Sequence, residues 1–287
     1  MNVIQKLSLS HIRLCSVLPN RSYCVQPAKQ TVTTENDGVR TIVLNNPKTR
    51  NSLSVDMMTQ LLKDIKRNRD DEQLRCIVLT ASDGKVFSAG HNLKELTKDS
   101  GIDYHKLVFA KATELMLEIL KSPVPVIAKV DGLAAAAGCQ LIAACDLVVC
   151  TDRSSFSTPG ASFGIFCSTP GIQVVRNIPK KKAAYMLFTG LPLSAQEALT
   201  AGLVSSCVVP DQLDAEVEKI CNAIKTKSRA VVELGKKFYY EQQSMDIHVA
   251  YKYGEQVMVD NLALPDGQEG IRSFIEKRKP NWSHSRD

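Results

Sequence analysis

Two stretches of this chain are built from residues whose backbones, more than their side chains, could do chemistry. Residues 133–146 read LAAAAGCQLIAACD, a run of small side chains that stops at Gly138 and opens into an apolar helical pattern ending in Asp146. Small side chains let a ligand lie against the main chain, and the first N–H groups of a helix have no partner inside it. Negative charge is stabilised at such a terminus by the aligned peptide dipoles. Residues 87–93, FSAGHNL, form a second small-residue stretch. Each stretch could offer one amide to a single oxygen, which is the chemistry of an oxyanion hole. The competing reading of residues 133–146 is a tightly packed, buried helix start.

The elements that must position these stretches alternate between strand and helix. Residues 39–44 read as a strand closed by Asn45-Asn46-Pro47. Ser54 is placed to cap a helix whose apolar positions Val55, Met58, Leu61, Leu62 and Ile65 share one face. Residues 75–80 are a second strand, 81–90 a loop, 103–121 a helix, and 124–130 a buried strand that leads through Asp131-Gly132 into the first stretch. A strand over 147–150 follows. Residues 156–171, with Pro159, Gly160, Gly164, Pro170 and Gly171, read as a long irregular segment of the kind that lines a site. Helices are expected at 180–189 and 194–201, a strand at 203–209, and helices from Asp211 almost to the end. The fold class is therefore α/β, with a parallel core and an α-helical C-terminal region.

Composition narrows the function. The chain has 287 residues, 44% of them hydrophobic, and no apolar run long enough to span a bilayer, so no membrane span is expected. The first 34 residues carry Lys6, Arg13, Arg21 and Lys29 and no acid, which fits an organelle-targeting presequence over residues 1–30. Removing those four charges from the formal +6 leaves +2, too little for a general nucleic-acid-seeking field. The nine cysteines show no C-x-x-C pair, and the five histidines are scattered, so neither a disulfide framework nor a metal site is expected.

Five segments in order, NNPKTRNSLS, VFSAGHNLKEL, PVPVIAKVDGLAAAAGCQLIAACDLVV, FTGLPLSAQEALTAGLV and EGIRSFIEKRKPNW, resemble the crotonase, or enoyl-CoA hydratase/isomerase, superfamily. The resemblance runs from about residue 31 to Trp282. It implies a crotonase-like ββα spiral core over residues 31–225 and a helical trimerisation region over 226–287. It also implies a coenzyme A thioester ligand, with no separate cofactor, and a homotrimer or hexamer. Carried over by position, the two oxyanion-hole amides belong to His91 and Ala137. Near the coenzyme A moiety the resemblance places Arg50, Ser52, Leu53, Ala89 and Lys94, with Phe274, Lys277 and Arg278 at a closing C-terminal segment.

The same alignment by position puts the two glutamates that hydratases use on Gln140 and Gly160. An amide hydrogen-bonds a water but does not take its proton, and glycine has no side chain. The acidic position of dienoyl-CoA isomerases falls near Ser168, and Cys167 is a further candidate, as a nucleophile without an obvious histidine partner. Ordinary hydratase activity is thus expected to be weak or absent. The expectation is an acyl-CoA-binding homologue in mitochondrial-matrix fatty-acid or acyl-CoA metabolism. One alternative is residual or divergent hydratase/lyase activity with a water on Gln140. Another is RNA binding through Lys63, Lys66, Arg67 and Arg69, a row that Asp64, Asp70 and Asp71 interrupt.

Overall fold

The computed structural model describes residues 29–82 and 84–286. The expected targeting segment, residues 1–30, lies outside them except for its last two residues. The chain enters through a hairpin, β1 (Thr31–Asn36) and β2 (Val39–Leu44), joined at Asp37-Gly38, where both residues adopt positive φ. Helix α1 (Val55–Lys66) follows, and the Ser54 hydroxyl accepts its Met57 N–H at 3.2 Å.

Three successive β-β-α units then wind through the molecule. They are β3 (Cys76–Ala81), β4 (Val86–Ser88) and α2 (Ile102–Lys121); β5 (Val126–Val130), β6 (Leu133–Ala135) and α3 (Ala137–Ala144); and β7 (Leu147–Thr151), β8 (Ser155–Ser157) and α4 (Ser168–Asn177). The first strand of each unit joins a large sheet, and the second joins a smaller one. After α5 (Lys180–Thr189) come β9 (Leu193–Ser194), α6 (Ala195–Ala201), β10 (Ser206–Val208) and α7 (Leu213–Lys225). The large sheet has the order β1-β2-β3-β5-β7-β10 and the small one β4-β6-β8-β9. Both are parallel apart from the antiparallel pairs β1/β2 and β8/β9.

Parallel strands need cover on both faces, and the side-chain alternation supplies it. Ile77, Leu79, Val126 and Ala128 face the main core with α1, α2 and α3. Cys76, Val78, Ile127 and Val149 point the other way and pack on Leu213, Val217 and Cys221 of α7. The chain ends in α8 (Arg229–Gln242), α9 (Ile247–Ala263) and α10 (Pro265–Ile275). Helix α8 is held to the core by Asp146, whose carboxylate receives Lys236 Nζ at 2.6 Å, Tyr240 OH at 2.8 Å and the Val126 N–H at 2.6 Å.

The expected helices are present, with Ser194 and Glu197 forming a reciprocal capping box at α6. The segment 156–171 corrects the expectation of a long irregular stretch. It contains the end of β8, a 3-10 turn over Pro159–Phe163, and the first turn of α4. The strand expected over 203–209 shrinks to β10, because residues 202–205 serve as the turn out of α6. The loop expected over 81–90 contains β4.

Candidate functional site

The site is built where the small sheet meets the start of α3. Gly138 allows that contact, since a Cβ there would come within 2.5 Å of Ser88 O and 2.8 Å of Ser88 Cβ. Ser88 in turn donates its hydroxyl to Asn51 O at 2.8 Å. The Ala89 N–H donates to Arg50 O at 3.0 Å, and the Leu53 N–H to Gly90 O at 2.7 Å. Residues 88–91 are therefore fastened to residues 50–53 on one side and abut α3 on the other. The ideal Cβ position of Gly90 lies 3.0 Å from Ala137 N, so the peptide entering His91 and the peptide entering α3 are immediate neighbours. Ala137 is the first residue of α3, which leaves its N–H without a partner inside the helix. The Leu53/His91 bridge uses the Gly90 carbonyl and the Leu53 amide, not the His91 N–H.

This arrangement is strained at one residue. Ala136, just before α3, has φ 49° and ψ −118°, a region that a Cβ disfavours. Such conformations persist where their surroundings enforce them. Here the Ala136 N–H donates to Ser157 O of β8 at 2.9 Å, which fixes the peptide entering the strained residue.

A cavity of about 420 Å³ opens against these residues, lined by Ala89, His91, Ala136 and Ala137 at one end. Its lining also includes Leu93, Leu96 and Phe109, together with Phe163, Ile165, Phe166 and Pro170 of the segment that follows β8. Among the described residues, no Asp, Glu, Lys or Arg lines it. The titratable groups in the lining are His91 and Cys167. The His91 ring meets Phe109 edge-on, with centroids 5.4 Å apart. Its Nδ1 is 3.4 Å from Leu53 O, an arrangement that suits an Nδ1–H donor and leaves Nε2 as the acceptor. Nε2 is buried without a hydrogen-bond partner among the described residues, and burial holds the imidazole below its usual pKa.

The remaining sequence-derived candidates fall into two groups. Gln140 is 4% exposed in α3, with its Oε1 buried and unpartnered among the described residues. It is not part of the cavity lining. Gly160, Cys167 and Ser168 do line the cavity. A Cβ on Gly160 would overlap the Ile165 carbonyl oxygen and approach Cys167 Sγ to 2.7 Å, so the backbone leaves no room for a side chain at 160. The Cys167 thiol is 6% exposed and accepts the Gly160 N–H at 3.3 Å. Burial pushes its pKa up, and the Gly160 N–H offsets this in part. A nucleophilic cysteine needs the opposite shift. Ser168 is exposed at the first position of α4, its Oγ 3.5 Å from Phe166 O. The carboxylate at the end of α3, Asp146, is committed on both oxygens to Lys236, Tyr240 and Val126.

Of the residues expected near coenzyme A, Ala89 lines the cavity, while Arg50, Ser52 and Leu53 sit on the strip hydrogen-bonded to it. Lys94 is exposed beside Asn92, whose Oδ1 accepts the Lys94 N–H at 3.2 Å. Phe274 is 85% exposed, which excludes a core role within this chain. Neither it nor Lys277 lines the cavity of its own chain, and Arg278 is paired with Glu269 and Glu276. Sequence reasoning missed the apolar walls. The apolar residues Phe163, Ile165, Phe166 and Cys167 within a glycine-containing turn were an available signal, whereas Phe109 on α2 gave none.

Residues 34–285 match the enoyl-CoA hydratase/isomerase family. The chain is 53% identical over 254 residues to enoyl-CoA hydratase domain-containing protein 3, mitochondrial, of Mus musculus, covering 88% of this chain and 84% of that protein. It is 31% identical over 255 residues to the probable mitochondrial enoyl-CoA hydratase of Dictyostelium discoideum, covering 88% and 90%. The crystal structure of human enoyl-CoA hydratase domain-containing protein 3 superposes with a TM-score of 0.86 at 52% identity, over 88% of this chain and all of the other. A Mycobacterium smegmatis enoyl-CoA hydratase structure gives 0.85 at 42% identity, over 88% and 98%. The chain has a mixed α/β crotonase-like fold and belongs to the enoyl-CoA hydratase/isomerase family.

Proposed function

We propose that this protein binds acyl-CoA thioesters, with the thioester carbonyl held between the N–H groups of His91 and Ala137, and that it hydrates enoyl-CoA weakly or not at all. The observation that carries the reading is the close approach of Gly90, the residue before His91, to the Ala137 nitrogen, beside an apolar cavity whose lining includes no carboxylate among the described residues. Two aligned donors polarise a carbonyl and stabilise an enolate or tetrahedral oxyanion, each worth roughly 2.7–4 kcal/mol in a water-excluded site. Hydration further requires a proton acceptor and a proton donor placed at the water and the α-carbon. Positions 140 and 160 supply neither, and the thiol at 167 stays protonated near neutral pH.

A second reading has one observation in its favour. The buried, unpartnered Oε1 of Gln140 is able to accept a hydrogen bond from a water, which would support residual or divergent hydratase/lyase chemistry. The nucleic-acid alternative is weakened by ion pairing, because Lys66, Arg67 and Arg69 each pair with Glu114, Glu118 or Glu35. Mitochondrial relatives and the basic N-terminal segment support a mitochondrial, matrix-located role in fatty-acid or acyl-CoA metabolism. The exposed apolar faces of α9 and α10, with Tyr251, Met258, Phe274 and Ile275, support a homotrimer or hexamer in which these helices are covered.

The test pairs calorimetric binding of butyryl-CoA with a crotonyl-CoA hydration assay, run on the protein and on Gln140→Ala. The proposal expects binding and no turnover above the variant. Turnover that is lost in Gln140→Ala would replace it with the second reading, and absence of binding would reject both.

A further inference from the structure

The outer face of the large sheet carries two cysteines that belong neither to the cavity nor to the main core. Cys76 opens β3, and Cys221 lies on the stripe of Leu213, Val217 and Cys221 by which α7 covers that face. Their thiols are free and are hydrogen-bonded to each other, although they lie far apart in the chain. We propose that Cys76 and Cys221 are a peroxide-oxidisable dithiol, reduced at rest and closing to a reversible disulfide that bolts α7 to β3.

Access and charge make Cys221 the thiol that reacts first. It borders a groove of about 320 Å³ between α7 and the β1/β2 hairpin, with Asn36, Asp37, Thr41, Lys129 and Lys225 also in its lining. Cys76 is fully buried and does not line the groove. The four-residue spacing of the α7 stripe continues from Cys221 to Lys225, which places an ammonium one turn from the sulfur. Lys225 Nζ is 2.5 Å from Asp37 Oδ2. The Cys76 S–H donates to the Cys221 sulfur, and this bond, opposed by burial and helped by Lys225, holds the Cys221 thiol below its usual pKa. The same bond, together with burial, pushes Cys76 up. Cys221 is thus readied as the thiolate nucleophile, and Cys76 as the thiol that resolves its oxidised form.

The reaction with hydrogen peroxide balances within the pair. The Cys221 thiolate attacks one peroxide oxygen, so that an S–O bond forms and the O–O bond breaks. The departing hydroxide takes up the proton that Cys221 released and leaves as water. The Cys76 sulfur then attacks the Cys221 sulfur, the S–S bond forms and the S–O bond breaks. Hydroxide departs with the Cys76 proton as a second water. Two electrons pass from the thiols to the peroxide. A second thiol pair, Cys150 and Cys207, stands in register on β7 and β10 and is also hydrogen-bonded. Burial, the neighbouring Cys207 and the Asp152 carboxylate all push the Cys150 thiol up, the opposite of what Lys225 does at Cys221.

The experiment treats the full chain with a small excess of hydrogen peroxide, blocks the remaining thiols with N-ethylmaleimide in denaturant, and maps bridges by mass spectrometry of a non-reducing digest. Expected is a Cys76–Cys221 bridge that dithiothreitol reverses, formed ahead of any change at Cys139, Cys145, Cys150, Cys167 or Cys207. Cys221→Ala abolishes this product. Cys76→Ala leaves instead a sulfenic acid on Cys221 that dimedone traps, and Lys225→Gln slows bridge formation severalfold. The map of the unaltered chain stands by itself, so a variant that fails to fold leaves the test intact. A Cys150–Cys207 bridge formed first, earlier oxidation of Cys139, Cys145 or Cys167, or a Cys76–Cys221 pair still fully alkylated after excess peroxide would overturn the proposal.

Discussion

The two halves of the site are made by different means. At one end, residues 88–91 and 136–138 place two backbone amides side by side through close packing, a strained Ala136 and a ladder of main-chain bonds to residues 50–53. At the other end, residues 140, 160 and 167 offer a buried amide, a glycine with no room for a side chain and a protonated thiol. On the proposed reading the first half stabilises charge on an oxygen, and the second supplies no side chain to move a proton. The contrast teaches that a scaffold retains electrostatic stabilisation independently of acid and base groups, because the amides depend on backbone geometry and the proton transfer depends on side chains.

The largest expected effect is at Gly160. A methyl group there overlaps the Ile165 carbonyl, so Gly160→Ala lowers stability by about 3 kcal/mol in urea unfolding. Gly160→Glu fails to create hydratase activity for the same reason. A stable Gly160→Glu protein that hydrates crotonyl-CoA would erase the distinction between the halves, since the second would then be repairable by one side chain.

Strain at the amide end makes a smaller prediction. Ala136→Gly removes the Cβ that opposes φ 49°, and this outweighs the extra freedom glycine gives the unfolded chain. Stability rises by about 1 kcal/mol in the same unfolding measurement, with acyl-CoA affinity unchanged. A destabilised variant would mean that Ala136 is not strained as described.

The smallest effect concerns the His91 side chain. Burial lowers its folded-state pKa, so as pH falls below about 6.5 the unfolded chain takes up the proton first. The associated stability is full above that pH and declines below it, down through the lowered folded value. His91→Ala flattens this part of the melting-temperature profile between pH 7.5 and 5 while retaining thioester binding, because the amide remains. Loss of binding in that variant would move His91 from backbone donor to side-chain contact.

Much of this architecture was legible in the sequence. The amphipathic α1, the helix that starts after Ser194 and the apolar strand at residues 124–130 announce themselves through local spacing. The strands β4, β6 and β8 do not, because each is three residues long and is defined by pairing with the others. The close packing of the two small-residue stretches was legible as runs of small residues, and family resemblance assigns the two amides to His91 and Ala137. The crowding at Gly160 was not, since it depends on a carbonyl five residues away folding back over it. Nor was Phe109, whose place in the cavity wall is set by how α2 packs.

The central claim is that the two amides grip the thioester carbonyl. Isotope-edited infrared spectroscopy of carbonyl-labelled butyryl-CoA reads that contact directly. Two hydrogen bonds weaken the C=O bond, so the bound ligand should absorb at lower frequency than in water, and replacing the Ala137 peptide bond with an ester should reverse part of that shift. A bound carbonyl with its solution frequency, or a shift that survives the ester unchanged, would contradict the account.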